Sequence, residues 1–298
     1  MLKKLSVIIP IRNMANELNR IFDEINYLAS KGAQIIIVDD GSEDGTFNLL
    51  QQFSIENGLN NRLKIISQGH LGPGAARNAG FLTAINDIVV FWDSDDVRDL
   101  KILEETINLE FPEDMLVCNF TLKNLNLRQT QIKNLETKNL LDLSVNGGMW
   151  RIFFKRNFLI NLKFPDLFCG EDLVFLANLL NRNPKVAWSE SIIYQYNNSR
   201  EGQTSANIVY RADSVQACLS LINLLKNPNT KNSKYIGVIL LKLLNTAIKS
   251  DWKGLLNSAT KSLFEEGIIC SFRIIIILNR SILAFCIQKS RRKIGFMV

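Results

Sequence analysis

The sequence predicts an α/β fold: a mostly parallel sheet flanked by helices, with a helical C-terminal extension. Three observations carry this. Short apolar runs alternate with stretches of helical periodicity through the first third of the chain. The runs are continuously apolar, as strands buried on both faces are. Three of the first four runs end in polar, acid-bearing or glycine-bearing turns, "PIRN", "DDGSEDGT" and "DSDD", where ligands bind in such sheets.

Leu5 to Ile9 reads as a strand ended by Pro10, and Asn13 to Ala29 as a helix with Leu18, Ile21, Phe22, Ile25 and Leu28 on one face. "AQIIIVDDGS" is a buried strand entering a turn, Thr46 to Phe53 a helix, and "RLKIIS" a third strand. Pro73 to Ile85 is a helix with proline near its start. Ile88 to Trp92 is the fourth strand, and Leu100 to Leu109 is helical. "MLVCNF", "MWRIFF", "KVAW" and "SIIYQY" are strand-like, and "EDLVFLANLL" is a helix. Helices are expected over 209–225, 235–249 and 254–266, so a first domain is placed at 1–206 and a helical region at 207–298.

Charge and cysteine usage narrow the class. Arg273, Arg280, Lys289, Arg291, Arg292 and Lys293 account for the whole net charge of +6, which leaves the body neutral and argues against a nucleic-acid-binding surface there. The 5 cysteines have no C-x-x-C spacing, so neither a disulfide framework nor a zinc site is indicated and a cytosolic setting fits. "MLKKLSVIIP" reads as a first strand, not a signal peptide. The segment "GIICSFRIIIILNRSILAFCIQKSRRK" is too interrupted by charge for a spanning helix. It fits an interfacial helix with "KSRRK" near anionic lipid, or a buried core helix with a solvated basic tail.

A single histidine, His70, directs acid–base chemistry to carboxylates and any metal site to oxygen ligands, hence Mg²⁺ or Mn²⁺. His70 itself reads as a solvated or hydrogen-bonding loop residue. "DSDD" follows a buried strand, and carboxylates so close repel unless a cation joins them; an ordinary acidic turn is the plainer alternative. Asp40 ends a strand in "VDDGSEDGT", a turn whose glycines permit close approach, although such residues are common in any β–α turn. Arg77 in "GHLGPGAARNAG" suits a phosphate or neutralises "DSDD". In "FCGEDLVF", Glu171 and Asp172 open an apolar helix, either as favourable first-turn charges or as a general base.

Together, "SVIIPIRN" with Glu17, "IIIVDDGSEDGT", "GPGAARNAG", "VVFWDSDD" and "CGEDLVF" resemble the family-2 glycosyltransferases of the GT-A fold, a Rossmann-like sheet, over about residues 5 to 200. The resemblance implies a nucleotide-diphosphate-sugar donor and inversion at the anomeric carbon. It implies that Pro10, Arg12, Glu17, Asp40 and Arg77 line the nucleotide site. It casts Asp93 as the ribose-side acid and Asp95 as the ligand of a divalent cation, Mn²⁺ or Mg²⁺. Asp172 matches the catalytic base, with Glu171 as its neighbour. The family commonly carries an aromatic residue where this chain has Arg12, which opens the nucleotide preference. "YQYNNSREGQTS", with Arg200, Gln203 and Ser205, is similar to a closing segment that meets the diphosphate. The expected acceptor is a saccharide or lipid-linked saccharide in envelope polysaccharide synthesis, with the tail as a peripheral contact on the inner face of the membrane. A non-catalytic module that binds nucleotide sugars is the alternative. A nucleotidyltransferase ranks last, because "PIRNMANE" lacks the glycine-rich basic loop such enzymes carry after their first strand.

Overall fold

The computed structural model describes residues 2–108, 113–124, 129–133, 139–197 and 213–246. They form two compact units. The first comprises Met1–Glu136, Gly148–Asp166 and Lys185–Glu201; the second comprises Thr137–Gly147, Leu167–Pro184 and Gly202–Val298.

The first unit is built on strands β1 (Leu5–Ile11), β2 (Gln34–Asp40), β3 (Leu63–Gln68) and β4 (Ile88–Phe91), with helices α1 (Leu18–Ser30), α2 (Thr46–Glu56) and α3 (Pro73–Thr83) between them. These strands are mutually parallel in the order β3-β2-β1-β4. β5 (Val97–Arg98), α4 (Leu100–Asn108), β6 (Met115–Asn124), β7 (Gln129–Lys133), β8 (Ile152–Lys155) and β9 (Val186–Asn197) complete it. The sheet continues from β4 as β8-β6-β9-β5, with β7 paired on β6. β8 runs antiparallel to both β4 and β6, so the expected parallel order holds for β1–β4 and the other half is mixed.

Burial explains the elements. Leu5, Val7, Ile8, Ile9 and Ile35–Val38 are all buried, because helices cover both faces of the central strands. α1 buries Leu18, Ile21, Ile25 and Leu28, the face its periodicity announced. α3 uses small residues to approach the sheet: a Cβ on Gly80 would lie 2.5 Å from Ile8 Cγ2.

Three local expectations are corrected. β1 runs through Pro10 to Ile11, because pairing with β4 ends at Ile8↔Phe91 and proline costs no ladder bond on that side. The first helix begins at Leu18 after a 3₁₀ turn, Ala15–Glu17, rather than at Asn13, which sits in the left-handed region at φ 50°. "KVAW" and "SIIYQY" are one strand, β9, whose register against β6 shifts between Val117 and Asn119 and again between Asn119 and Phe120.

The second unit contains α5 (Leu140–Val145), α7 (Glu171–Asn181), the helix Asp213–Lys226 and a helix over 233–246; α6 (Arg156–Leu159) belongs to the first unit. Among the described residues no helix is long and apolar enough to cross a membrane. The expected helix over 254–266 and the basic tail lie outside the described residues.

Candidate active site

Four parallel strands send their following loops to one edge of the sheet. β2 and β4 flank β1 on opposite sides, so a crevice is expected at the carboxyl ends of β1 and β4. Pro10 is the penultimate residue of β1, Arg12 follows its end, and Asp93 follows β4 by two residues. Pro10 is half-buried, and Arg12 and Glu17 are exposed.

The loops after β1 and β2 are stitched together. Asn13 donates its backbone N–H to Ser42 Oγ at 2.8 Å and accepts at Oδ1 from the Glu43 N–H at 2.9 Å. Met14 N–H donates to Thr46 Oγ1 at 2.8 Å, and Ala15 N–H to Asp44 Oδ2 at 2.9 Å. Gly41 is pressed against the next loop: at φ 72°, a Cβ there would lie 2.8 Å from His70 N.

Asp40 ties the loop after β3 into the same rim. It is 4% exposed, and its carboxylate accepts from Gln68 Nε2 at 2.7 Å and from the N–H groups of Leu71 at 2.9 Å and Gly72 at 3.0 Å. His70 Nδ1 lies 2.9 Å from its Oδ2, so the histidine is a hydrogen-bonding loop residue. Burial pushes the Asp40 carboxyl up, but these bonds from Gln68, Leu71, His70 and Gly72 outweigh it and hold the group below the usual carboxylate range. The Asp40 carboxylate thus organises the turn that leads into α3.

The acid-rich loop after β4 divides its carboxylates. Asp93 Oδ1 pairs with Arg77 Nη2 at 2.8 Å, so the two motifs meet, and the arginine is 7% exposed. Asp96 is turned inward at 1% exposure and accepts from the Tyr194 hydroxyl at 2.7 Å. Asp93 and Asp95 are half-buried. Among the described residues no group of three or more His, Cys, Asp or Glu side chains is arranged to hold a metal. A hard cation that keeps phosphate and water ligands needs only one or two carboxylates, and Asp95, half-buried on this loop, is the one the sequence points to.

In the second unit, Gly170 adopts φ 84° and caps α7, whose first turn holds Glu171 and Asp172. Glu171 is 6% exposed and Asp172 is half-buried, its Oδ1 accepting from the Leu173 N–H at 2.7 Å. Both acids occupy the turn a helix dipole favours. Arg200, Gln203 and Ser205 lie outside the described residues.

Four contributors were not singled out from sequence. Arg20, Glu24, Arg98 and Tyr194 surround the acid-rich loop. The available signal was the Arg20–Glu24 spacing on α1, which looks like an ordinary surface pair.

Residues 6–170, more than half of the chain, match the family described as Glycosyl transferase family 2. Glycosyltransferase GlyA of Streptococcus pneumoniae is 25% identical over 288 residues, covering 88% of this chain; the chain spans only 40% of that protein's length. The cholesterol galactosyltransferase of Borreliella burgdorferi is 26% identical over 259 residues, 77% of this chain and 69% of its own length. Among solved structures, S. aureus TarS 1–349 in complex with UDP-GlcNAc superposes with a TM-score of 0.60 at 19% identity, covering 94% of this chain and 81% of that one. Glucosyl-3-phosphoglycerate synthase of Mycobacterium tuberculosis, in complex with Mn²⁺, UDP and glucosyl-3-phosphoglycerate, gives 0.50 at 17% identity over 74% and 79% of the two chains. At these identities the structures speak for the fold, and the family match for descent: the chain belongs to glycosyl transferase family 2, on the GT-A fold.

Proposed function

We propose that this protein transfers a sugar from a nucleotide-diphosphate donor to an acceptor hydroxyl with inversion. The observation that carries the reading is the Arg77–Asp93 pair, which joins the acid-rich loop to α3 at the carboxyl edge of β1–β4. TarS has been solved with UDP-GlcNAc, and the mycobacterial synthase with UDP and Mn²⁺, which supports a nucleotide-sugar donor here.

In this reading Pro10, Arg12, Glu17 and Asp93 line the nucleotide site, and Asp40 shapes it by holding the turn into α3. Arg77 balances the charge of Asp93. Asp95, with Asp93 beside it, would hold Mn²⁺ or Mg²⁺, which supplies positive charge against the departing diphosphate. Asp172 accepts the proton of the acceptor hydroxyl as that oxygen bonds to the anomeric carbon and the bond to the diphosphate breaks. Attack from the face opposite the leaving group inverts the configuration. Glu171, buried next to Asp172, helps set the first turn of α7.

We place the acceptor among saccharides or lipid-linked saccharides of envelope polysaccharide synthesis. A relative named for a cholesterol acceptor supports a lipid-associated one, and the basic apolar tail supports peripheral contact with the inner face of the membrane. We read 1–206 as the GT-A glycosyltransferase domain and 207–298 as a helical region that serves acceptor and membrane, although the compact units interleave, with Thr137–Gly147 and Leu167–Pro184 in the second.

The test is a thermal-shift series with UDP, GDP, CDP and TDP, each with Mn²⁺ and with EDTA. A metal-dependent rise for one nucleotide is expected, by mass action on the folded state, and Asp95→Ala should abolish it. A folded protein that responds to none of the four refutes the donor site. A product that retains the donor's anomeric configuration refutes the inversion.

A further inference from the structure

The loop that carries Asp93 and Asp95 is gripped by its backbone. Glu24, in the middle of α1 and 9% exposed, divides its carboxylate between two arginines: Oε2 accepts from Arg98 Nη1 at 2.7 Å and Oε1 from Arg20 Nη1 at 3.3 Å. The arginines pass the connection on to carbonyl groups. Arg98 Nη2 donates to the Asp93 carbonyl, and Arg20 donates to those of Ser94 and Asp96. Three of the four carbonyls of Asp93–Asp96 therefore face guanidinium groups. The Arg98 guanidinium lies 5.0 Å from the Trp92 ring and 5.3 Å from the Tyr194 ring. The hydroxyl of Tyr194 also accepts from the Asp93 N–H at 3.4 Å.

With planar peptides, a short loop has two soft torsions per residue, and anchoring three of its carbonyls removes most of that freedom. Guanidinium groups on the carbonyls also offset the mutual repulsion of Asp93, Asp95 and Asp96. Arg77 on Asp93 and Tyr194 on Asp96 occupy carboxylate oxygens, whereas the bonds to the three carbonyls take up none. Groups that orient metal ligands without touching the metal commonly change metal affinity by about 10–100-fold when removed.

We infer that Glu24, Arg20 and Arg98 are positioning residues, which fix the backbone of the acid-rich loop so that it receives a divalent cation and a nucleoside diphosphate. The inference rests on the donor-site reading above, and its test separates the two. Arg20 is the residue to change, because its side chain is 34% exposed and Glu24 keeps Arg98 as a partner when it is gone. The comparison is Arg62→Ala, which removes a similar arginine-to-carbonyl bond, 2.9 Å to Gly32 O, away from the acid-rich loop.

Two measurements are made on the full chain. Amide hydrogen exchange without ligand should speed up in residues 93–97 of Arg20→Ala and stay at wild-type rates there in Arg62→Ala. Titration of Mn²⁺ in the presence of whichever of UDP, GDP, CDP and TDP the wild type binds, read by thermal shift, should show affinity weakened about tenfold or more in Arg20→Ala, less in Arg20→Lys, and unchanged in Arg62→Ala. Wild-type exchange in Arg20→Ala overturns the inference, as does an equal effect of Arg62→Ala. Where wild-type protein binds none of UDP, GDP, CDP and TDP with Mn²⁺, the donor-site reading fails, and the exchange result still decides whether Arg20 fixes the loop.

Discussion

Two glycines share a backbone conformation and differ in their surroundings, so they separate strain from crowding. Gly45 caps α2 at φ 88°, ψ 1°, and a Cβ there would meet nothing within 4 Å. Gly170 caps α7 at φ 84°, ψ 3°, and its Cβ would lie 3.0 Å from Leu243 Cδ2 and 3.1 Å from Ala217 Cβ. An L side chain in the left-handed region costs roughly 1–2 kcal/mol. The smaller entropy of the unfolded alanine chain returns about 0.4–1 kcal/mol. Gly45→Ala should therefore destabilise by about 1 kcal/mol. Gly170→Ala carries the same strain plus an extra methyl in a packed interior, about 1 kcal/mol more at the lower end of overpacking costs. At about 2–4 °C per kcal/mol, the melting temperature should fall by about 2–4 °C for Gly45→Ala and about 4–8 °C for Gly170→Ala, read by scanning calorimetry. Gly45→Asn should lose less than Gly45→Ala, because asparagine tolerates the left-handed region. Equal losses for the two alanine variants would refute the crowding at α7, and Gly45→Asn as damaging as Gly45→Ala would refute the strain.

Asp172→Asn should lower turnover by about 10²–10⁴-fold while nucleotide binding persists; a loss of nucleotide affinity of the same size would remove Asp172 from the role of base. Asp40 predicts a pH dependence. Its folded-state pKa is depressed, so its stabilisation is complete above the unfolded value of about 3.9 and is lost as pH falls through the lower folded value. The melting-temperature gap between wild type and Asp40→Asn should therefore narrow as pH drops from about 5 to about 2, and a constant gap would contradict the assignment. Removing residues 267–298 should abolish co-sedimentation with vesicles rich in anionic lipid; unchanged co-sedimentation would place the contact elsewhere.

The β–α units at the start of the chain were legible because each strand is a continuous apolar run and each helix has a periodic apolar face. What was missed there is tertiary. Pro10 looks like a strand end until the early end of β4 beside it is known. Asn13 looks helical until its bonds to Ser42 and Glu43, about 30 residues away, fix it in the left-handed region. In β9, Ser189 and Glu190 interrupt the apolar alternation, and the register shift against β6 accommodates them; Asn119 Nδ2 donates to the Glu190 carbonyl at 3.2 Å. At the site, Arg77 and Asp93 stood out because glycine-rich and acidic turns are local patterns. The Glu24–Arg98 pair spans 74 positions, and no local pattern encodes it. Arg20 resembles any solvated charge on an amphipathic helix.

The loops at the carboxyl edge of β1–β4 are held in two different ways. Those after β1, β2 and β3 are joined by backbone N–H groups donating to hydroxyl and carboxylate oxygens, as in Asn13–Ser42, Met14–Thr46, Ala15–Asp44 and Asp40 with Leu71 and Gly72. The loop after β4 is tied to the rest through guanidinium groups: Arg77 from α3, Arg20 from α1 and Arg98 from β5. Those three cations stand among the carboxylates of Glu24, Asp93, Asp95 and Asp96, and the ion pairs Arg20–Glu24, Arg98–Glu24 and Arg77–Asp93 join the two sets. The first three loops are therefore joined largely by backbone N–H donors, and the fourth by arginine side chains. The arginines offset the repulsion of the acids in any reading, and it is the buried Glu24, shared by Arg20 and Arg98, that joins separate contacts into one anchor for the loop.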